Sequence, residues 1–67
     1  MKNILITGAS GFLGSNLKSR LEKIYNCKLI SKHGDLSKGI DKLDLSNHDA
    51  ITKYLHEFVP NYIIHLA

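Results

Sequence analysis

The sequence has little of what holds very small proteins together. It contains one cysteine, one proline and no tryptophan in 67 residues. The single cysteine, Cys27, cannot form a disulfide within the chain, and no group of cysteines and histidines has metal-site spacing. A chain of this length buries only about 60% of its unfolded surface and is marginal without such cross-links. Because the apolar content of 43% is typical of a folded protein, we expect an N-terminal part of a longer protein.

The sequence also lacks long apolar runs and clusters of like charge. The formal net charge is +3, and the lysines are scattered along the chain, which argues against a nucleic-acid partner. No apolar run approaches the roughly 20 residues of a membrane span. The N-terminus has neither the apolar core nor the cleavage site of a signal peptide. A cytoplasmic protein without a membrane partner is therefore predicted.

Three of the five glycines stand at a regular spacing near the N-terminus. Gly8, Gly11 and Gly14 follow the apolar run Ile4-Leu5-Ile6 and open a segment of helical periodicity. Glycines between a strand and a helix let the backbone turn sharply and approach a large anion closely. No Gly-Lys-Ser/Thr follows, so the segment is not a P-loop.

Apolar periodicity predicts alternating strands and helices along the chain. We expect strands at residues 3–7, 27–31, around 40–45 and 61–67, and no helix in the polar segment 32–42. The first helix runs from Phe12 to about Tyr25, with Asn26 as its stop, and its apolar face consists of Leu13, Leu17, Leu21 and Ile24.

The second helix is predicted from its cap, its apolar stripe and its stop. Ser46 is the expected N-cap, and Asp49 would complete a capping box. Pro60 ends the helix, and its apolar stripe is Ile51, Leu55 and Phe58.

This order of elements predicts an α/β fold of the Rossmann type, a doubly wound parallel sheet that is incomplete, with its first four strands and two helices. Right-handed crossovers give the strand order 3-2-1-4, with the two helices on opposite faces. The glycine turn then lies at the carboxyl end of the first strand, at the switch point where such sheets bind ligands.

A dinucleotide's pyrophosphate suits this glycine turn. Gly8 would permit the tight exit from the strand, Gly11 would leave room for phosphate, and Gly14 would let the helix pack closely on the sheet. The alternative is a glycine-rich turn that binds nothing. In the binding interpretation, backbone N–H groups at the helix start donate to the pyrophosphate, from Ser10, Gly11, Phe12 and Leu13.

Three motifs resemble one enzyme superfamily in matching order along the whole chain. They are residues 4–15 around the glycines, Asp44-Leu45-Ser46, and Pro60-Asn61-Tyr62-Ile63-Ile64-His65-Leu66-Ala67. Together they are similar to the opening of the extended short-chain dehydrogenase/reductases, the NAD-dependent epimerase/dehydratase family. The resemblance implies that Asp44 meets the adenine amino group, and that Leu45, Leu66 and Ala67 belong to the cofactor site.

The end of the second strand bears on the choice of cofactor. Ser31 and Lys32 stand there, and a hydroxyl beside an ammonium suits a 2′-phosphate, so we expect NADP in preference to NAD. The alternative is that Lys32 is only a solvated loop lysine. In that case Asp35, about 20 residues past Gly14, would bond the ribose instead.

No residue of this chain is predicted to be catalytic. The family's tyrosine stands in Tyr-x-x-x-Lys, and none of Tyr25, Tyr54 and Tyr62 is followed by lysine four positions later. The resemblance implies a parent that transfers hydride at a sugar carbon of a nucleotide-sugar substrate, as an epimerase, dehydratase or reductase. A non-catalytic NAD(P)-binding regulator and a truncated product without activity remain alternatives, and a homodimeric parent is left open.

Overall fold

The computed structural model describes residues 1–8 and 12–66, and of Phe12 only the backbone. In this part of the chain strands and helices alternate as predicted. Neither α-helix has the length and apolarity of a membrane span. The elements are β1 (Asn3–Thr7), α1 (Phe12–Leu21), β2 (Asn26–Ser31), a 3₁₀ turn (Leu36–Lys38), β3 (Ile40–Lys42), α2 (His48–Glu57) and β4 (Tyr62–His65).

The strands form one parallel sheet in the order β3-β2-β1-β4. This confirms the predicted fold class and strand order. Thr7, the last residue of β1, lies beside Ile30 of β2 and His65 of β4. The carboxyl ends of the three strands therefore meet at one edge of the sheet.

Strand β1 contributes to a hydrophobic cluster on each face of the sheet. Ile4 and Ile6 pack with Leu29 and Ile40, and the partly buried Leu17 and Leu21 of α1 cover this cluster. Leu5 points to the other face. There it packs with a second cluster that α2 covers, formed with Ile30, Leu43, Phe58, Ala50, Ile51, Tyr54 and Leu55. The two helices thus lie on opposite faces, as predicted.

Three asparagines hold the amino ends of the strands together. The Asn3 amide N–H donates to Asn61 Oδ1 at 2.8 Å, and the Asn61 N–H donates to the Asn3 carbonyl at 2.8 Å. The Asn3 side chain donates to the Val59 carbonyl at 2.9 Å and accepts from Asn26 Nδ2 at 3.1 Å. The starts of β2, β1 and β4 are therefore fixed relative to one another.

Helix α1 is shorter than predicted. The N–H groups of Ile24 and Tyr25 both donate to the Leu21 carbonyl, at 3.1 and 2.8 Å, so the chain leaves the helix in a tight turn. Ile24 is 64% exposed and does not extend the apolar face, and Leu13 is equally exposed. Asn26 is not a helix stop, because it begins β2.

The prediction of Ser46 as the N-cap of α2 is wrong. Asn47 is the cap, and its side-chain oxygen accepts from the Ala50 N–H at 3.1 Å. Ser46 is hydrogen-bonded to Asp44 instead: Asp44 Oδ1 accepts from both the Ser46 N–H and the Ser46 hydroxyl. The capping box with Asp49 therefore does not form.

Strands β3 and β4 are also shorter than predicted. β3 ends at Lys42 instead of continuing to residue 45, and β4 begins at Tyr62 and ends at His65. The 3₁₀ turn lies in the segment where no helix was expected, and Asp35 caps it. Ala67 lies outside the described residues.

Gly8 occupies a position that no other residue fits. Its φ is +69°, in the left-handed region, and an added Cβ would overlap the carbonyl oxygen of Leu66. Gly39 has the same backbone conformation, with a φ of +68°, but its added Cβ would meet only Lys18 Nζ at 3.5 Å. The turn after β1 is thus packed directly against the backbone that follows β4.

We expect Gly8→Ala to destabilise the chain more than Gly39→Ala, measured by urea unfolding. Both variants carry the cost of a positive φ, about 1 kcal/mol. Gly8→Ala must also displace the Leu66 backbone, which raises its total cost to about 3 kcal/mol. Equal losses would show that β1 and β4 do not approach as described.

The second prediction concerns the cap of α2. Asn47→Ala should lower the free energy of unfolding by about 1 kcal/mol, because the Ala50 N–H loses its acceptor, and Asn47→Gly should cost only a few tenths. Ser46→Ala is the matched control, and helix content by circular dichroism should follow only Asn47. A larger loss from Ser46→Ala would restore Ser46 as the cap.

Candidate functional site

A cavity of about 190 Å³ opens at the carboxyl edge of the sheet. It lies where β1 and β2 end and where the segment after β3 passes. Its walls combine aliphatic side chains with a lysine, a carboxylate and two hydroxyls. The lining residues are Gly8, Ile30, Ser31, Lys32, Leu43, Asp44, Leu45 and Ser46.

Ser31 and Lys32 bring a hydroxyl and an ammonium to the cavity. Ser31 is buried, and its Oγ accepts from the Gly34 N–H at 2.9 Å, which fixes the start of the following loop. A hydroxyl that accepts one bond still has a proton to donate. Lys32 is exposed. The pair predicted to select the cofactor therefore lies on the wall of the cavity.

Asp44 supplies a carboxylate in a fixed orientation. Its Oδ1 accepts from the Ser46 hydroxyl at 2.7 Å and from the Ser46 N–H at 2.9 Å. These two hydrogen bonds, and then the positive charges of Lys32 and His33, lower the pKa of Asp44 below its ordinary value. The carboxylate is therefore ionised at neutral pH and acts only as a hydrogen-bond acceptor.

Asp35 lies away from this cavity. Its Oδ1 accepts from the Ser37 N–H at 3.1 Å and from the Ser37 hydroxyl at 2.6 Å, and the hydroxyl bond is the main reason that its pKa is lowered. Its backbone also exchanges hydrogen bonds with Ile40. Asp35 lines a separate cavity, with His33 and Lys42 among its neighbours. The acid is thus used to build the 3₁₀ turn.

The glycine segment is only partly within the described residues. Gly8 lies at the end of β1 and on the cavity wall, and helix α1 begins at Phe12. Leu13 is in the first turn of α1, where N–H groups have no partner within the helix, and Gly14 is buried. Ser10 and Gly11 lie outside the described residues, as does Ala67.

The two leucines of the predicted site lie at different places. Leu45 borders the 190 Å³ cavity and also an apolar cavity on the α2 face. Leu66 is partly buried against the α1-side cluster, and its carbonyl packs against Gly8. Leu66 therefore contributes backbone to the site.

A partly buried polar contact at the same edge was missed from the sequence. Thr7 is 5% exposed, and its Oγ1 is hydrogen-bonded to Nδ1 of His65, its register partner on β4. The signal in the sequence was a hydroxyl at the last position of one strand and an imidazole near the end of another. Only the register places them side by side.

The described residues away from this edge provide no group prepared for acid–base or nucleophilic chemistry. Burial and then a hydrogen bond to Asp41 raise the pKa of Tyr54, which lies on the α2 face. Burial is also the main reason that the pKa of the Cys27 thiol is raised. No group of acidic, histidine or cysteine side chains in the described part could hold a metal ion.

Comparison with solved structures identifies a dehydrogenase of the same fold. The X-ray structure of L-threonine dehydrogenase from Clostridium difficile superposes with a TM-score of 0.79 at 30% sequence identity. The match covers 100% of this chain and 24% of that one, so this chain spans about a quarter of the length of that dehydrogenase. A comparison with curated protein sequences gave no significant match.

A family model points the same way. The model described as the NAD dependent epimerase/dehydratase family matches residues 4–67, which include the glycine turn, Asp44 and β4. These are the segments on which the resemblance in the sequence depended. The chain belongs to the NAD-dependent epimerase/dehydratase family.

Proposed function

We propose that this chain forms the adenosine and pyrophosphate part of an NADP site in a longer enzyme. One observation carries the proposal: the cavity at the carboxyl edge of the sheet has Gly8, Lys32 and Asp44 on its wall. The ends of parallel strands at a switch point are where such sheets bind dinucleotides. The three residues differ in chemistry, and each fits a different part of the cofactor.

The adenine fits between aliphatic walls and one carboxylate. Ile30, Leu43 and Leu45 offer an apolar surface to the ring faces. Asp44 uses Oδ1 for both of its hydrogen bonds to Ser46, which leaves Oδ2 for a further donor. The exocyclic amino group of adenine is such a donor. Ionised Asp44 accepts from it and would repel a base that presents a carbonyl at that position.

The pyrophosphate fits the start of α1. The N–H groups of the first turn and the positive end of the helix dipole favour an anion there. Gly8 turns the chain between β1 and this helix in a conformation that a side chain would obstruct. In this proposal the chain's own residues bind and orient the cofactor, and the bound nicotinamide supplies the hydride chemistry.

The proposed preference for NADP rests on the positions of Lys32 and Asp35. Lys32 is exposed on the cavity wall, where an ammonium can pair with a 2′-phosphate. Asp35 lines a separate cavity, where its Oδ1 accepts two hydrogen bonds from Ser37. In this proposal Lys32 pairs with the 2′-phosphate of NADP, and Asp35 does not bond the ribose hydroxyl of NAD.

The substrate proposed for the whole enzyme is a nucleotide sugar, with hydride transferred at a sugar carbon. The dehydrogenase neighbour favours a second candidate, the secondary alcohol of an amino acid such as L-threonine. Product analysis with the full-length protein separates the two: a nucleotide sugar is converted with NADP⁺ or NADPH in the first case, whereas L-threonine is oxidised with net reduction of NADP⁺ in the second. A non-catalytic regulator would bind the cofactor and convert neither substrate. The cytoplasmic location and an oligomeric parent stay predictions.

The cofactor preference can be tested with Lys32. Lys32→Ala should weaken NADP⁺ about tenfold and leave NAD⁺ unchanged, because only the 2′-phosphate loses a charge-assisted bond. Isothermal titration gives both affinities. Lys53→Ala, which removes the same charge from the exposed face of α2, is the control and should change neither. Tighter binding of NAD⁺ than of NADP⁺ by the unmodified protein would contradict the proposal.

Base recognition can be tested with Asp44 and the hypoxanthine analogue of NADP⁺. The unmodified protein should prefer adenine about tenfold, and Asp44→Asn should lose the preference because its amide can donate to a carbonyl. Asp49→Asn, in the first turn of α2, should keep it.

The same preference has a pH dependence with a definite sign. The pKa of Asp44 is lowered, so its carboxylate stays ionised as the pH falls through the ordinary range of aspartate. Adenine preference should therefore persist from pH about 7 to about 5 and be lost only below the lowered pKa. A loss of preference between these values would remove Asp44 from the site.

A further inference from the structure

We propose that His65 is a positioning residue for the cofactor turn and acts on Gly8 through Thr7. This inference rests on the proposed NADP site, because it assigns a role to the residues behind that site. His65 itself does not line the cavity that contains Lys32 and Asp44. It is therefore assigned no contact with the adenosine.

The contact between Thr7 and His65 joins a buried hydroxyl to an exposed imidazole beside a mostly aliphatic surface. Both residues line an apolar cavity of about 280 Å³ on the α2 face, and its other lining residues, such as Leu5, Ile30 and Leu45, are aliphatic. The buried Thr7 hydroxyl has its hydrogen-bond partner in His65 Nδ1. Without that partner the buried Thr7 hydroxyl would lose its hydrogen bond beside aliphatic side chains, which is costly.

Backbone contacts on either side of this bond connect it to the turn. The Leu66 N–H donates to the Thr7 carbonyl at 2.9 Å, and the Leu66 carbonyl packs against Gly8 so closely that no side chain fits. Thr7-Gly8 and His65-Leu66 are thus matched residue by residue. A shift of His65 relative to Thr7 moves the carbonyl on which Gly8 rests.

The role is positioning and not general strand pairing, because β1 and β4 are also fastened elsewhere. At their amino ends Asn3 and Asn61 exchange two hydrogen bonds, and four residue pairs are in register between the strands. Loss of the His65 bond leaves these contacts in place. The effect is then confined to the carboxyl end, where the start of α1 meets the pyrophosphate.

The experiment compares two ligands across two His65 variants. NADP⁺ contains the pyrophosphate, whereas adenosine 2′-monophosphate contains the adenosine and the 2′-phosphate but no pyrophosphate. His65→Leu should weaken NADP⁺ about fivefold and leave adenosine 2′-monophosphate unchanged, because Lys32 and Asp44 are untouched. His65→Asn should recover NADP⁺ binding, since its amide places a polar atom where Nδ1 stood.

A double-mutant cycle tests that the effect passes through Thr7. Thr7→Val should reproduce the fivefold loss and Thr7→Ser should not, because serine keeps the hydroxyl. The combination of Thr7→Val with His65→Leu should lose no more than either single change, since both remove one bond. Additive losses would overturn the proposed route from His65 to Gly8.

Each remaining outcome decides the inference. Unchanged NADP⁺ affinity of His65→Leu would overturn the positioning role. An equal loss of affinity for both ligands would overturn it too, and urea unfolding of both His65 variants would show whether a loss of fold causes that equal loss. An unmodified protein that binds neither ligand would overturn the proposed NADP site, and the role of His65 with it. The two failures are therefore distinguished by the unmodified protein alone.

Discussion

The burial of β1 is the constraint on which the rest of the structure depends. Ile4, Leu5 and Ile6 are each less than 5% exposed, with neighbouring strands on both sides and a helix on each face. Burial of side chains of this size contributes roughly 1.5–3 kcal/mol each. Because the strand is central, its last residue, Thr7, and the glycine that follows are held at the middle of the carboxyl edge. The glycine turn is therefore positioned by the hydrophobic core.

The polar side chains at the two edges of the sheet make different contacts. At the amino ends the side chains of Asn3, Asn26 and Asn61 bond to each other and to backbone, so their polar groups serve to hold strands together. At the carboxyl ends the polar groups of Lys32 and Asp44 face a cavity. Strand alignment at one end leaves the other end available for a ligand.

Most of the fold could be predicted because it follows from periodicity. Runs such as Ile4-Leu5-Ile6 identify strands that are covered on both faces, and the connection lengths leave few topologies. The errors occurred where short-range hydrogen bonds compete. Ser46 is a residue type that often caps helices, but its hydroxyl and N–H both donate to Asp44, two residues earlier. The cap is therefore one residue later, at Asn47, and the helix begins at His48. Composition does not indicate which of two adjacent polar residues wins such a competition.

The residues of the candidate site also differ in whether the sequence predicts them. Gly8, Lys32 and Asp44 were predictable since each stands in a local motif beside a strand end, and all three lie on one cavity. The pairing of Thr7 with His65 was not, because the residues are 58 positions apart and meet only through the register of β1 with β4. A one-residue slip of β4 would turn His65 to the opposite face of the sheet. Register therefore determines whether the glycine turn, which is proposed to bind the cofactor, has a hydrogen-bonded support behind it. Gly8, packed against the Leu66 carbonyl, is the residue whose position depends directly on that register.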